Sequence, residues 1–291
     1  MPATERAGIV DAHHHVWDLA VRPQPFLDTA EELAPLRRKF GIDDLAPLAA
    51  AAGVTATVVV QTVTETAETP ELLALARTGP LVAAVVGWTD LAAPGISDVL
   101  ASLRGGPDGQ FLAGIRHPLL TEPDPGWLSR PEVRRGLAAL GQAGLTFDLV
   151  LPPHHLDSAA EAAAAVPGLT FVLDHLGNAD VTGAAPDPAW VRSFRAFARQ
   201  PNTVCKLSGI LAELGPGAAA HLRPYADLAL ECFGPPRLMF GSDWPVSTLG
   251  AAYGDVVATA MTLTADLSEP ERTAILRGTA RTVYQLPGAD R

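Results

Sequence analysis

The sequence contains two short runs that are apolar on both faces, VTATVVVQ at Val54–Gln61 and LVAAVVGW at Leu81–Trp88. Apolar residues at consecutive positions are typical of parallel strands that are buried on both sides. A strand that exposes one face to water would instead alternate apolar and polar residues. These two runs therefore predict a parallel sheet inside an α/β fold.

Strand-like runs and helical stretches alternate along the whole chain. The candidate strands are Gly8–Ala12, Val54–Gln61, Leu81–Trp88, Leu112–Arg116, Thr146–Leu151, Leu169–Asp174, Thr203–Leu207 and Leu238–Gly241. The candidate helices are Ile42–Ala52, Glu71–Arg77, Ile96–Arg104, Glu132–Ala143, Ser158–Ala165, Pro188–Arg199, Ala218–Cys232, Val256–Thr264 and Pro270–Arg281. About eight strand–helix units in 291 residues predict a (β/α)8 TIM barrel, as a single domain over residues 1–291. A doubly wound open sheet is the alternative, but no glycine-rich phosphate loop follows the first strand.

The charge and composition restrict the classes of function. The chain has 21 basic and 32 acidic residues and a formal net charge of −11. It therefore does not have the excess of basic residues that is typical of proteins that bind nucleic acids or anionic membranes, and we expect neither as a partner. Two cysteines, Cys205 and Cys232, are too few for a disulfide framework. With no signal-peptide pattern and no apolar run of about 20 residues, we expect a cytoplasmic protein. A homo-oligomer remains open.

Polar residues follow the predicted strands, at the end of a barrel where chemistry takes place. Seven of the eight histidines lie there, namely His13, His14, His15, His117, His154, His155 and His175. Histidines placed for packing or surface reasons would not all favour one end. The long stretch Leu19–Gly41 follows the first strand, and it fits either a lid over the barrel mouth or a plain surface excursion.

His13 and His15 are two positions apart on a strand, so their side chains share one face and can bind one divalent ion or flank one substrate group. His14 points the other way, which favours packing. His175 follows the apolar run FVLD and can serve as a metal ligand or a hydrogen-bond donor to a carbonyl. Asp243 follows a Gly-Ser turn, where a carboxylate can act as a general base on water or merely cap a turn.

Other strand-end residues have open roles. Arg116 can grip a carboxylate or a carbonyl oxygen, or form a rim salt bridge. Lys206 can pair with an acidic neighbour, and it is either structural or substrate-binding. Trp17, Trp88 and Trp244 can line a ring-sized pocket or plug the barrel mouth.

Motifs along nearly the whole chain resemble the amidohydrolase superfamily, and more narrowly its lactonase branch. That branch includes sugar-lactone and 2-pyrone-4,6-dicarboxylate lactonases. The motifs are DAHHHVW (Asp11–Trp17), the QT…ET stretch (Gln61–Glu71), GWTDL (Gly87–Leu91), GIRH (Gly114–His117), EPDPGWL (Glu122–Leu128), FDLVLPPHHL (Phe147–Leu156), FVLDHLG (Phe171–Gly177), VCKLSG (Val204–Gly209) and RLMFGSDWPV (Arg237–Val246). Their order is specific for the branch but not for the substrate.

The resemblance implies an enzyme that opens the lactone ring of a small sugar acid or related cyclic ester. In that branch, residues at the places of His13, His15, His175 and Asp243 bind one divalent metal ion, with zinc as the first expectation, or work without metal. Asp243 would take the proton of the attacking water, with His175 beside it in catalysis. The residues implied to contact the lactone are Arg116, His117, His155, Gln61 and Trp17.

One position departs from the family pattern, because Thr279 stands where relatives often have Asn; the active-site motifs are unaffected. A bridging ligand for a second metal is not evident. Two alternatives stay open: an amidohydrolase-type decarboxylase of an aromatic or muconic acid, and an inert ligand-binding barrel. A serine esterase is disfavoured because no G-x-S-x-G motif is present.

Overall fold

The computed structural model describes residues 8–183, 185–209 and 218–286. The expectation that no signal peptide is present concerns residues 1–12, of which residues 1–7 lie outside the described part of the chain. The predicted domain limits at 1 and 291 also lie outside it. Eight parallel strands form one sheet in sequence order. They are β1 (Ile9–His14), β2 (Val54–Val60), β3 (Val82–Gly87), β4 (Leu112–Pro118), β5 (Thr146–Val150), β6 (Phe171–Leu173), β7 (Thr203–Leu207) and β8 (Leu238–Phe240). Two backbone hydrogen bonds join β1 to the segment after β8. His15 N donates to Trp244 O at 2.7 Å, and Asp243 N donates to His13 O at 2.8 Å. The prediction of a (β/α)8 barrel is confirmed.

Helices connect the strands and cover the outside of the barrel. The longer ones are Ile42–Ala51, Glu68–Arg77, Ile96–Gly105, Pro131–Gln142, Leu156–Ala165, Pro188–Ala198, Ala219–Phe233 and Tyr253–Leu263. The predicted closing helix Pro270–Arg281 is instead Glu269–Thr273 and Thr279–Val283, with a π-helical turn over Ala274–Gly278 between them. No helix among the described residues has the length and apolar content that a bilayer span requires.

The stretch Leu19–Gly41 contains two short 3-10 helices, Pro25–Asp28 and Glu31–Leu36. Three side chains of this stretch, Leu27, Leu36 and Phe40, are buried. Phe40 pairs with Trp17 through backbone hydrogen bonds and packs its ring edge-on against Trp244. Packing therefore fixes this excursion beside the loop that follows β8.

Small apolar residues from seven strands form one cluster, which only the barrel interior can bring together. The strand members are Val10, Ala12, Ala56, Val58, Val60, Ala84, Val86, Ala113, Val172, Val204 and Met239. Tyr284 and Leu286 from the C-terminal segment join them. Toward the carboxyl ends of the strands, buried polar side chains replace this apolar filling, among them His13, Arg116, Asp148 and Lys206.

Candidate active site

A bulge in β1 turns two histidines toward the barrel axis. Val10 and Ala12 belong to the interior cluster, so strict alternation would point His13 away from it. The β1–β2 register changes between Asp11, opposite Thr57, and His14, opposite Val59, so three steps on β1 match two on β2. One extra residue in a strand shifts the faces of all that follow. His14 accordingly leaves the axis and contacts Thr57 Oγ1 at 3.0 Å.

His13, His15, His175 and Asp243 meet at the mouth of the barrel. The Nε2 atoms of His13 and His15 are 3.1 Å apart. Asp243 Oδ1 lies 3.7 Å from His13 Nε2, 3.6 Å from His15 Nε2 and 3.8 Å from His175 Nε2. The structure thus brings together all four residues proposed as metal ligands from the sequence.

Left-handed backbone conformations at His175 and Asp243 place their side chains in the site. His175 has φ = 54° and Asp243 has φ = 58°, a left-handed conformation that side chains other than glycine adopt at a cost of about 1–3 kcal/mol. The surrounding hydrogen bonds hold it, since Asp243 N donates to His13 O at 2.8 Å and His175 N to Ser208 Oγ at 3.3 Å. Strain of this kind is often found at functional sites.

Two glycines make room for the imidazoles. A β-carbon on Gly209 would lie 2.6 Å from the His175 ring, and one on Gly241 would lie 2.7 Å from His13 Cβ. These positions therefore tolerate no side chain unless a site histidine moves.

Gly241→Ala is therefore expected to lower kcat about tenfold or more, because a shift of even 1 Å in a site group can cost roughly 10²-fold. The control is Gly254→Ala, in the helix Tyr253–Leu263, where an added β-carbon meets nothing within 4 Å. That change should leave kcat unaltered. Equal kcat values for the two variants, measured with a lactone of the kind that the sequence motifs imply, would contradict the proposed packing constraint.

Burial favours the neutral forms of the three histidines and of Asp243. It lowers the pKa of His13 and His15 well below the usual value and that of His175 to about 4. The imidazoles are therefore neutral at pH 7, and their lone pairs are available. Burial also raises the pKa of Asp243 to about 8, so a nearby positive charge would favour its ionised form.

The spacing of these groups fits a metal ion. Bonds of about 2.0–2.2 Å from Zn²⁺ to imidazole nitrogen and carboxylate oxygen place tetrahedral ligands about 3.3 Å apart. The distance between the Nε2 atoms of His13 and His15, and those from Asp243 Oδ1 to the three imidazole Nε2 atoms, are 3.1–3.8 Å. His15 Nδ1 contacts Val60 O at 2.8 Å, so its proton is on Nδ1 and its Nε2 can act as a ligand. The described residues therefore offer a histidine–aspartate metal site.

Arg116 is buried and fully engaged by the protein. Its guanidinium donates to Gln61 O at 2.6 Å, to Gln61 Oε1 at 2.9 Å and to Asp174 Oδ2 at 3.1 Å. Gln61 Nε2 is buried without a hydrogen-bond partner among the described residues. Of these two predicted substrate contacts, Gln61 thus has a side-chain N–H donor without a protein acceptor, whereas the donors of Arg116 bind Gln61 and Asp174.

The remaining predicted substrate contacts lie in other packing environments. His117 stacks on Trp127 with ring centroids 4.0 Å apart and contacts Glu122 Oε2 at 3.0 Å. His155 is mostly buried and meets the ring of its neighbour His154 edge-on. Trp17 donates its indole N–H to Arg38 O at 2.8 Å. The contacts of Trp17 are those of a packing residue that anchors the Leu19–Gly41 excursion.

An ionic layer lies beneath the histidines; pairing of Lys206 with an acidic residue was considered from the sequence, but its partners were not identified. Lys206 Nζ lies 2.7 Å from Asp148 Oδ2, 2.9 Å from Asp174 Oδ1 and 3.0 Å from His13 Nδ1. Burial opposes ionisation of Asp174, but the neighbouring Lys206 ammonium group outweighs it and holds the pKa of that carboxyl well below its usual value. A usable signal was present, because a charged residue inside an apolar strand, as in FDLVL and VCKLS, needs a buried partner.

Comparison with known proteins identifies the family. The family model described as Amidohydrolase matches residues 10–286. This chain belongs to the amidohydrolase family. The family predicted from the sequence motifs is therefore confirmed.

This amidohydrolase is similar along most of its length to two L-fucono-1,5-lactonases and to an amidohydrolase of known structure. It is 35% identical over 291 residues to an L-fucono-1,5-lactonase of Burkholderia multivorans, covering 96% of each chain. It is 36% identical over 247 residues to the L-fucono-1,5-lactonase of Burkholderia ambifaria, covering 84% of this chain and 83% of that one. A crystal structure of an amidohydrolase from B. multivorans with bound zinc has 34% identity and a TM-score of 0.89, covering 96% of this chain and 99% of that one.

Proposed function

We propose that this amidohydrolase hydrolyses the lactone ring of a sugar acid, with L-fucono-1,5-lactone as the first candidate substrate. The observation that carries the proposal is the convergence of Asp243 Oδ1 with three imidazole Nε2 atoms within 3.8 Å. The lactonase relatives support the choice of a lactone over the carboxylate of a decarboxylase substrate.

The reaction needs one group that accepts and then returns a proton. Water attacks the lactone carbonyl carbon and gives its proton to the Asp243 carboxylate. When the tetrahedral intermediate collapses, the bond between the carbonyl carbon and the ring oxygen breaks. The protonated Asp243 then gives the proton to that oxygen, which yields a hydroxy acid. His15, His175 and Asp243 keep 8–11% of their side chains exposed, so these three groups face the incoming lactone.

The resident ion that we propose is Zn²⁺, held by His13, His15, His175 and Asp243. Nitrogen-rich ligand sets of this kind suit zinc, and the solved relative with bound zinc supports the choice. When bound, the ion would supply the positive charge that favours ionised Asp243 and polarises the carbonyl. Without metal, polarisation of the carbonyl would be left to the histidines.

The test is a panel of sugar lactones in weak buffer with a pH indicator. Hydrolysis at neutral pH releases about one proton per ring opened, because the product acid has a pKa far below 7. We expect turnover of L-fucono-1,5-lactone and of related rings. Failure to accelerate the opening of any lactone above the rate in buffer would reject the proposed function.

A further inference from the structure

Asp11 is a fully buried carboxylate at the seam where β1 meets the segment after β8. Three neutral groups donate hydrogen bonds to it, namely His13 N at 3.1 Å, Ser242 N at 2.8 Å and Tyr253 Oη at 3.0 Å. Burying a carboxylate costs free energy that hydrogen bonds must offset. The donors that Asp11 brings together therefore point to the use of its oxygens.

One oxygen of Asp11 holds the bulge in β1. The bulge lies between Asp11 and His14, and the extra residue of a bulge has no partner in the strand ladder. Within it, His13 N donates to Asp11 Oδ1 at 3.1 Å. The same bulge turns His13 and His15 toward the barrel axis. Asp11 thus stabilises the backbone conformation on which the direction of both imidazoles depends.

The same oxygen binds the turn that carries Asp243. Ser242 N donates to Asp11 Oδ1 at 2.8 Å. The next residue, Asp243, has φ = 58°, a conformation that persists only where neighbouring contacts hold it. A single carboxylate oxygen therefore joins the backbone of His13 to the residue that precedes Asp243.

The other oxygen of Asp11 is fixed by the helix layer. Tyr253 Oη donates to Asp11 Oδ2 at 3.0 Å. Tyr253 is itself buried at the start of the helix Tyr253–Leu263. Because both oxygens are bound, rotation of the Asp11 carboxylate would break at least one hydrogen bond. The place of Oδ1 is thus set from the sheet and from the helix.

We propose that Asp11 is a positioning residue that sets the distance between Asp243 and the two histidines of β1. It acts through the place of Oδ1, which accepts from two backbone N–H groups, and not through its charge. The effects on zinc affinity and turnover rest on the proposed metal site and lactonase function, whereas the geometry does not.

The variants Asp11→Asn and Asp11→Leu separate the acceptor oxygen from the charge. Asn keeps an oxygen for His13 N and Ser242 N, and its amide N–H can donate to Tyr253 Oη, but it has no negative charge. Leu has a similar branched shape and no acceptor, so two buried N–H groups would be left unpaired.

The decisive measurement is the crystal structure of each variant after treatment with a chelator. In the unaltered protein His15 Nε2 lies 3.6 Å from Asp243 Oδ1. We expect Asp11→Asn to keep this distance. Asp11→Leu should change it by more than about 0.5 Å, which exceeds the tolerance of a precisely held site.

Zinc affinity and kcat report the same displacement in solution. For Asp11→Leu, competition with a chromophoric chelator should show zinc bound about 10–100-fold more weakly, and kcat should fall by a similar factor. KM should change less, because the buried Asp11 does not touch substrate. Asp11→Asn should keep most of the zinc affinity and most of kcat.

Val257→Ala is the control for a general loss of stability, since Val257 is also buried, in the helix Tyr253–Leu263. It should lower the unfolding temperature and leave zinc affinity and kcat unaltered. If Asp11→Leu does not fold, Asp11→Glu replaces it, because Glu keeps the charge but moves the oxygens by one methylene group. The same displacement is expected.

Two results would overturn the proposal, whether or not the enzyme hydrolyses a lactone. If Asp11→Asn loses the 3.6 Å distance, the charge of Asp11 rather than the place of Oδ1 is what matters. If folded Asp11→Leu, or Asp11→Glu in its place, keeps that distance, Asp11 has only a structural role.

Discussion

Asp243→Asn is expected to reduce kcat/KM for lactone hydrolysis by about 10²–10⁴-fold, the usual contribution of a positioned acid–base group. The amide has nearly the shape of the carboxylate, but it cannot accept the proton of water at neutral pH. The backbone of Asp243 should stay in place, because its N–H donates to His13 O at 2.8 Å and that bond survives the substitution. Circular dichroism and thermal unfolding would verify the fold.

Asp90→Asn is the matched control for this change. Asp90 also follows a barrel strand, but it is exposed, and its Oδ1 caps Ala92 N at 2.9 Å, a bond that the Asn carbonyl can keep. The control should retain wild-type kinetics. If Asp243→Asn retained most of its activity as well, Asp243 would not be the base and the proton would have to go elsewhere.

The strand order followed from the sequence because buried parallel strands have a strong local signature. The runs at β2 and β3 are apolar throughout, and the structure has strands there. Boundaries were less accurate. The predicted strand Leu169–Asp174 is shortened at both ends to Phe171–Leu173, and Asp174, directly after it, pairs with Lys206 and Arg116. The short helices in Leu19–Gly41 were not predicted because this stretch has no periodic apolar pattern. Packing of the buried Leu27 and Leu36, rather than helix propensity, orders them.

The site histidines were predictable because each follows an apolar run, and position after a barrel strand already indicates a role at the mouth. The ionic layer depends on contacts between residues far apart in sequence. Lys206 and Asp148 are 58 positions apart, and no local pattern pairs them. Similarly, Arg116 has the residue type of a substrate grip, yet the spatial neighbours Gln61 and Asp174 occupy its donors.

Replacing Arg116 is expected to have the largest effect on the free energy of unfolding. Arg116→Met should reduce the free energy of unfolding by about 3–5 kcal/mol, the cost of breaking a buried ion pair by removing one partner. The Arg116–Asp174 pair is 7% and 0% exposed, and Gln61 O would lose its donor at 2.6 Å. Methionine keeps most of the side-chain volume, so a cavity explains little of the loss.

Arg195→Met supplies the comparison, because it removes an ion pair of equal or better geometry at the surface. Arg195 binds both oxygens of Glu231 at 2.6 and 2.9 Å, but these side chains are 41% and 58% exposed. Water solvates the charges when that pair is broken, so about 0–1 kcal/mol should be lost. Urea unfolding, with midpoints compared at equal m-values, measures both variants. Similar losses would mean that the buried guanidinium only fills space, and the assignment of Arg116 as the residue that holds Asp174 and Gln61 in place would then be incorrect.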